Sequence, residues 1–350
     1  MLLIKMLRPV SNPPNPWASS EIEYLEEIPP ATLQVFEDHT KSILSTNDSP
    51  DVHFKWSVNP YRGCQHGCAY CYARPSHEYL SFGAGTDFDR KIVVKPHAAR
   101  LLREEFEKKR WRGELIVFSG VTDCYQPLEA SLRLTRGCLE VCAAYGNPVA
   151  IITKGPLIER DLDVLIELNR RARLHVTVSI PLWDKEHARA IEPFVATPER
   201  RVRTIAKLAD AGLRVGVNVA PMIPGLGDED MVRVLEAAQA AGARSAGFVF
   251  LRLPGSVKEV FEERIRQTLP LRADRILHRI RDARGGKLYD SRFGKRQEGE
   301  GPYAEQARAL FDATVRRLGM NGAPSLIDAR ESEGDTFKRP PKAGDQLSLI

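Results

Sequence analysis

Three cysteines, Cys64, Cys68 and Cys71, stand close together in the first quarter of the chain. Their spacing is C-x3-C-x2-C, and an aromatic residue, Tyr70, directly precedes the third cysteine. Thiolate is a soft ligand that suits zinc, copper(I) and iron–sulfur clusters. Three thiolates this close together can hold one face of a metal cluster and leave one metal without a local protein ligand. The spacing therefore predicts a metal centre with one position open for chemistry.

Two other metal sites fit the same cysteines. Structural zinc prefers four protein ligands, commonly two closely spaced pairs, and the chain has no second C-x2-C pair. His66, His77 or Cys124 could supply a fourth zinc ligand. An electron-transfer cluster with four thiolates would need Cys124, Cys138 or Cys142, none of which is near the motif in sequence. A binding module that holds zinc or an electron-transfer cluster therefore stays open as an alternative.

The composition is that of an ordinary globular protein. Of the 350 residues, 43% are hydrophobic and 28% are charged, and this length allows one large domain or two smaller ones. A formal net charge of +5 is too small to indicate nucleic-acid binding. The apolar runs are too short for a transmembrane helix, and Met1–Leu7 is too short for a signal peptide. We expect no membrane association and a cytoplasmic location, where cysteines stay reduced and the six present form no disulfide framework.

Strand-like and helix-like stretches alternate from about residue 54 onward. The predicted strands cover residues 54–58, 113–120, 148–154, 174–180, 213–219 and 245–251. The helical patterns between them cover residues 95–110, 129–145, 159–171, 197–212 and 228–241. This alternation predicts an α/β fold with a parallel sheet and right-handed crossovers. The pattern alone does not distinguish an open sheet from a barrel, but in both the strand carboxyl ends carry the active site.

The chain divides into four regions on composition. Residues 1–50 are rich in Pro, Asn, Ser and Glu and predict an N-terminal extension that wraps or frays. Residues 51–255 form the core of alternating strands and helices. Residues 256–330 predict a helical region, with helices at 256–284 and 303–318. Residues 331–350 are charged and contain proline, which predicts a disordered tail.

The cysteine motif resembles the signature of the radical S-adenosylmethionine (SAM) superfamily. Asn59–Cys64, Cys71–Pro75, Thr122–Pro127 and Ile152–Lys154 narrow the resemblance to the branch that is similar to spore photoproduct lyase. The resemblance implies a partial (β/α)6 TIM-like barrel. It also implies a [4Fe-4S] cluster on the three cysteines, with SAM chelating the fourth iron. An external electron donor would drive reductive cleavage of SAM to a 5′-deoxyadenosyl radical, which takes hydrogen from a substrate. By analogy, the substrate is a nucleic-acid base or lesion and the reaction a step of DNA repair.

The resemblance and the predicted strand ends together imply a SAM site. In it, Thr122 and Asp123 accept from the SAM amino group, Lys154 pairs with the carboxylate, and Ser179 donates to the same group. The turn that begins at Pro221 lies beside the adenine. The full predicted set is Tyr70, Ser119, Gly120, Thr122, Asp123, Lys154, Ser179, Arg201, Asn218 and Pro221. Without the resemblance, Lys154 and Asp123 could equally form a structural ion pair.

The chain departs from the lyase pattern at the position of a cysteine. Spore photoproduct lyases carry a hydrogen-donating cysteine just before their Thr-Ser-Asp segment, where this sequence has Gly120-Val121. Cys124 and Tyr125 follow Asp123 instead and are the candidate catalytic residues. Free cysteines are commonly buried and inert, so the alternative is that Cys124 has no part in catalysis. Cys138 and Cys142, four residues apart on a predicted helix, are expected in the core.

The last five residues predict a partner. The sequence Gln-Leu-Ser-Leu-Ile resembles the peptide that bacterial replication and repair proteins insert into the sliding clamp, with isoleucine in place of the usual phenylalanine. A basic, extended stretch, 337–342, precedes it and would serve as a tether. The alternative is a chance run of apolar residues. The residues of the predicted peptide are Gln346, Leu347, Ser348, Leu349 and Ile350.

Overall fold

The computed structural model describes residues 32–52, 54–322 and 336–341. The strands are β1 Gln34–Glu37, β2 Leu44–Thr46, β3 Trp56–Val58, β4 Tyr61–Arg62, β5 Lys91–Val94, β6 Ile116–Phe118, β7 Val149–Thr153, β8 Leu174–Ser179, β9 Val215–Met222, β10 Ser245–Phe250 and β11 Asn321–Gly322. The helices are α1 Thr86–Arg90, α2 Ala98–Glu107, α3 Glu129–Leu132, α4 Leu134–Tyr145, α5 Leu162–Arg171, α6 Lys185–Ile191, α7 Pro198–Asp210, α8 Gly227–Ala240, α9 Val257–Thr268, α10 Pro270–Asp282 and α11 Gly301–Arg317.

An eight-stranded sheet carries the fold, in the order β11-β10-β9-β8-β7-β6-β3-β2. The six predicted strands are its six central strands, and every neighbouring pair among them is parallel. β2 pairs with β3 in the antiparallel direction and β11 extends the other edge, so the sheet has two strands that the sequence did not predict. A second, three-stranded sheet has the order β1-β5-β4. The strands of residues 34–46 belong to these sheets, so this part of the predicted N-terminal extension is folded onto the core.

The main sheet is curled, and one side chain shows this. In a flat sheet, β6 and β10 would be four strand spacings apart, about 19 Å. The Tyr72 hydroxyl nevertheless donates to the carbonyl of Gly120, just beyond β6, at 2.5 Å. Arg252, just beyond β10, lies over the same ring, with its guanidinium carbon 4.8 Å from the ring centroid. Tyr72 therefore bridges the carboxyl ends of β6 and β10, in agreement with the partial TIM-like barrel that the resemblance implied.

The two faces of the sheet differ in character. Val215, Val217 and Val219 of β9 belong to the main core, where the sheet packs against the surrounding helices. Because side chains alternate along a strand, the residues between them face the inside of the barrel. Several inward positions are small or polar, as in Ser57, Thr177, Ser179, Gly216, Asn218 and Ser245, whereas Val117 and Ile152 on the same face are apolar. The inner face therefore carries polar groups at the carboxyl end of β8 and on β9.

The helices follow the predicted positions, with breaks that the sequence pattern missed. Thr197 caps α7, because its hydroxyl accepts from the amide of Arg200 at 3.3 Å. The predicted helix 129–145 is broken at Arg133, whose φ of 52° is left-handed. The helix predicted over residues 228–241 begins at Gly227, and Asp228 in its first turn accepts from the Tyr303 hydroxyl at 2.6 Å. None of the helices in the described part of the chain is long and apolar enough to cross a membrane.

The described part of the predicted tail is docked on the core. Phe337 packs against the rings of Phe106 and Tyr145, with centroids 5.6 and 6.0 Å away. The amide of Lys338 donates to the Tyr145 carbonyl at 2.9 Å, and Arg339 donates to the Phe106 carbonyl at 2.9 Å. The expectation of disorder is therefore wrong for residues 336–341, because one aromatic side chain and these hydrogen bonds fix them. The predicted clamp peptide, residues 346–350, lies outside the described residues.

Candidate metal centre and cofactor site

The cysteine loop follows β4 and depends on glycine. Gly63 and Gly67 have φ values of 80° and 66°, a conformation that favours glycine. A Cβ atom at Gly63 would lie 2.8 Å from the ring of His77 and 2.9 Å from the carbonyl of Phe88. That carbonyl also accepts from the amide of Cys64 at 2.9 Å. The loop therefore packs too tightly against its surroundings for a side chain at Gly63.

The three thiols form a donor set suited to a metal cluster. Cys64 and Cys68 are 6% and 7% exposed, Cys71 is half-buried, and none is in a disulfide. Burial raises the pKa of Cys68 to about 12 against the opposing effect of Lys154. A metal would displace the protons, since it binds thiolate. In the described residues, no three Cys, His, Asp or Glu side chains are placed to bind one metal ion. The thiolates of a four-iron cluster bind separate irons, so the set fits such a cluster.

A buried arginine holds this loop from behind. Arg74 is 1% exposed, and its Nε donates to the Cys68 carbonyl at 2.9 Å. Its other nitrogens donate to the carbonyls of Ala84 and Gly85 at 2.8 Å and to Asp89 at 2.9 Å. Sequence reasoning missed this role, although Arg74 lies inside the stretch that carries the family resemblance. Arg74 thus fixes the backbone between two predicted ligands.

Tyr70 and Arg201, both predicted to bind SAM, meet at a buried carboxylate. The Tyr70 hydroxyl donates to one oxygen of Glu192, and Arg201 donates to the other. Arg201 also donates to the carbonyls of Ser179 and Ala196 at 2.8 Å. Burial would raise the pKa of Glu192, but Arg201 and Lys154 hold it below its usual value. Arg201 therefore donates its hydrogen bonds to acceptors within the protein and fixes the end of β8. This corrects the prediction that Arg201 contacts SAM.

The two predicted acceptors after β6 are engaged by the protein. The Asp123 carboxylate accepts from the Thr153 hydroxyl at 2.6 Å and from the amide of Lys154 at 2.7 Å, and the His66 ring nitrogen is 3.4 Å away. Burial would raise the pKa of Asp123, but His66 and these hydrogen bonds hold it well below its usual value. The Thr122 hydroxyl donates to the Tyr61 carbonyl at 3.1 Å. Both residues therefore join the cysteine loop to neighbouring segments, and their contact with the SAM amino group stays a prediction.

Lys154 is the predicted ligand whose functional group stays available. Its ammonium lies 5.7 Å from the centroid of the Tyr70 ring, and no hydrogen bond or ion pair engages it among the described residues. Burial would lower its pKa, but the nearby Cys68, Glu192 and Asp123 raise it above the usual value. The charged ammonium beside the cysteine loop is thus suited to a carboxylate, in keeping with its predicted role.

The remaining predicted SAM residues lie around the same rim. Ser119, with a left-handed φ of 76°, accepts from the amide of Cys124 at 2.9 Å through its hydroxyl. A non-glycine residue in this conformation is typical of functional sites. Asn218 and Pro221 both lie on β9, and Asn218 is on the inward face. Their contacts with SAM stay predictions.

The two predicted catalytic residues lie in the main core of the fold. Cys124 and Tyr125 are each 1% exposed and belong to the main core. After Asp123 the chain turns away from the rim, and the Cys124 carbonyl accepts from the Thr135 hydroxyl at 2.7 Å. Neither side chain lines the barrel mouth, which corrects the prediction and favours the alternative for Cys124. Cys138 and Cys142 are in the core as predicted, with no exposed surface.

Comparison with known proteins identifies the family of this site. A family model described as the radical SAM superfamily matches residues 58–238, more than half of the chain. This chain belongs to the radical SAM superfamily. The match includes the three cysteines, the strands β6 to β9 and Lys154. Membership implies radical SAM chemistry, with a [4Fe-4S] cluster and SAM, and residues of the cysteine loop and the rim fit both groups.

Individual relatives and one solved structure are also similar to this chain. An uncharacterized protein of Mycobacterium tuberculosis is 41% identical over 210 residues, 59% of this chain and 62% of the relative, so the match spans less than two thirds of that relative. A protein of Pseudomonas phage M6 named radical SAM Nα-GlyT isomerase is 23% identical over 76% of this chain and 52% of the phage protein. Spore photoproduct lyase complexed with dinucleoside spore photoproduct is similar in fold. Its TM-score is 0.59 at 16% identity, over 83% of this chain and 81% of the lyase.

Proposed function

We propose that this protein is a radical SAM enzyme whose cluster is held by Cys64, Cys68 and Cys71 and whose SAM is bound at the rim of the barrel. The observation that carries the proposal is the charged Lys154 ammonium, which lies beside the cysteine loop without a partner in the described chain. When bound, the cluster and SAM supply a 5′-deoxyadenosyl radical, which takes a hydrogen atom from a substrate after an external donor provides an electron.

The residues of the chain have three tasks in this function. Lys154 binds and orients the SAM carboxylate by a charge-assisted hydrogen bond. Glu192 and Arg201 hold Tyr70 and the end of β8 in place, so the ring of Tyr70 and Ser179 stay fixed near the ligand. Tyr72 crosses the barrel mouth and reduces the access of water to the space below it, which protects a reactive intermediate.

We propose a nucleic-acid base or lesion as the substrate. The support is the similarity in fold to a lyase whose structure holds a dinucleoside spore photoproduct. The chain departs from the lyase pattern because Gly120-Val121 stands where that pattern has a cysteine. Cys124 does not replace it, since the thiol is buried in the core. The proposed reaction therefore ends without a cysteine donor at this position and differs from that of the lyase.

Metal analysis of cysteine variants tests the cluster. We expect the anaerobically reconstituted protein to be brown and to hold about four irons per chain. Cys64→Ala, Cys68→Ala and Cys71→Ala should each lose most of this iron. Cys138→Ala is the matched control, because Cys138 is a core cysteine, and it should keep the iron. A colourless protein with one zinc per chain would instead support the zinc-binding module.

We also propose that the C-terminal residues recruit this enzyme to a sliding clamp. Residues 336–341 are fixed against α2 and α4, and the predicted peptide, residues 346–350, follows them in the sequence after four residues. A pull-down with purified clamp tests this. The full chain should bind and a chain lacking residues 346–350 should not. No binding by the full chain would exclude this partner.

A further inference from the structure

Arg252 lies two residues beyond the end of β10, at the mouth of the barrel. Its guanidinium carbon is 4.8 Å from the centroid of the Tyr72 ring, and Tyr72 directly follows the predicted ligand Cys71. Tyr72 is 47% exposed, and its hydroxyl is held by the carbonyl of Gly120. A cation is therefore stacked on an aromatic ring that faces solvent, next to the proposed metal centre.

The side chains of residues 32–52, 54–322 and 336–341 form no ion pair with this guanidinium. Within the described residues, Arg252 has no ion pair and no side-chain hydrogen bond. Asp51 is close enough for an electrostatic interaction with Arg252, but Arg296 and the amide of Gly294 already donate to the Asp51 carboxylate. The neighbouring Arg284 is buried and donates to backbone carbonyls at 2.7 to 2.8 Å, and the carboxylates of Asp290 and Glu300 are close enough to offset its charge. Arg252 therefore carries the charge beside Tyr72 that no ion pair in the described chain balances.

The loop 285–300 borders this position and adds aromatic surface. It is attached to β10 because the amide of Phe250 donates to the carbonyl of Gln297 at 2.8 Å. Phe293 on this loop is 59% exposed, and the guanidinium of Arg296 lies 4.4 Å from its ring centroid. Exposed rings beside cations are the arrangement that binds single-stranded nucleic acid, through base stacking and phosphate contacts. This surface favours a phosphodiester over a peptide carboxylate as the anion that Arg252 meets.

We propose that Arg252 binds a phosphodiester of a nucleic-acid substrate and so holds the adjoining nucleotide against Tyr72, beside the metal centre. The proposal rests on the proposed function and assigns a positioning residue for its substrate. Guanidinium donates two parallel hydrogen bonds to a phosphate, and stacking on Tyr72 fixes its plane while its edge stays free to donate. Lysine would keep the charge at this site but lose the paired geometry.

Binding of a fluorescent, single-stranded oligonucleotide by the reconstituted protein tests the proposal. We expect Arg252→Gln to weaken binding about tenfold, the effect of one charge-assisted hydrogen bond. The slope of log affinity against log salt should fall by about 0.7, the value for one lost phosphate contact on a single strand. Arg252→Lys should keep most of the slope but lose part of the affinity. The matched control is Arg233→Gln, because Arg233 lies 4.9 Å from the centroid of the Trp183 ring on the outer helix α8 and should change neither quantity.

Three results would overturn the proposal. The first is that the unaltered protein does not bind the oligonucleotide. The second is that Arg252→Gln leaves both the affinity and the salt slope unchanged. The third is that Arg252→Gln loses binding to an acidic peptide while its binding to the oligonucleotide stays the same. Equal thermal unfolding of the variants excludes a folding defect. Formation of 5′-deoxyadenosine without substrate, measured on the same samples, tests the proposed function separately. Its absence would refute the enzyme, whereas normal formation with unchanged binding would refute only the role of Arg252.

Discussion

Replacement of Glu192 by glutamine should destabilise the fold by about 3 kcal/mol. Glu192 and Arg201 are each 1% exposed, and removing one partner of a buried ion pair typically costs about 3 to 5 kcal/mol. The lower end of that range applies because Arg201 keeps two carbonyl acceptors, Ser179 and Ala196, in the variant. Tyr70 also keeps an oxygen acceptor in the glutamine side chain.

Urea unfolding of the two proteins at neutral pH measures this loss. The control is Glu104→Gln, which removes a pair with Arg100 in which both side chains are more than half exposed. Such a surface pair contributes about 0.3 to 0.5 kcal/mol. A loss below about 1 kcal/mol for Glu192→Gln would refute the inference that a buried charge pair stabilises this part of the site.

The same variant gives a prediction for pH. The folded pKa of Glu192 is below its unfolded value of 4.5, so its stabilising effect is present above pH 4.5. That effect is lost as pH falls through the folded pKa, where the carboxylate becomes protonated. The difference in unfolding free energy between the unaltered protein and Glu192→Gln should therefore shrink below pH 4.5. A difference that grows on acidification would contradict the assigned charge state.

Other predictions concern the ligand, the tail and the core cysteine. Lys154→Met should weaken SAM binding by roughly 10-fold to 150-fold, which is the range for a lost hydrogen bond to a charged group, and should leave the iron content unchanged. Equilibrium dialysis measures the affinity for SAM, and an unchanged affinity would contradict the role of Lys154. Phe337→Ala should lower the free energy of unfolding in urea by about 2 kcal/mol, which is less than the loss for a fully buried Phe because Phe337 is half-buried. Phe293→Ala on the exposed loop should change this free energy little. Cys124→Ala should lower the free energy of unfolding by about 1 kcal/mol and leave 5′-deoxyadenosine formation unchanged. Loss of that product in a stably folded variant would show that Cys124 takes part in catalysis.

The features predicted from sequence are those encoded locally. The spacing of Cys64, Cys68 and Cys71 is a property of one short segment, and the six strands follow from hydrophobic runs between helical patterns. These patterns therefore predicted where each strand ends, and they placed Lys154 and Ser179 on a common edge of the sheet. The curl of the sheet required a contact between distant segments, Tyr72 with Gly120 and Arg252, which no local pattern contains.

The errors at the site have the same physical origin. Whether Asp123 faces a ligand or the protein depends on Thr153, the amide of Lys154 and His66, which only the fold brings together. The direction of Cys124 depends on the backbone after Ser119, whose left-handed conformation is unusual for serine. Arg252 could have been found by the strand-end rule that found Lys154, since it follows the sixth predicted strand by one residue.

Formation of 5′-deoxyadenosine tests the central claim most directly. The anaerobically reconstituted protein is mixed with SAM and a strong reductant, and the product is quantified by chromatography and mass spectrometry. We predict product from the unaltered protein and from Cys138→Ala, and none above background from Cys68→Ala. A protein that carries about four irons per chain yet releases no 5′-deoxyadenosine with reductant and SAM would contradict the claim that this site performs radical SAM chemistry.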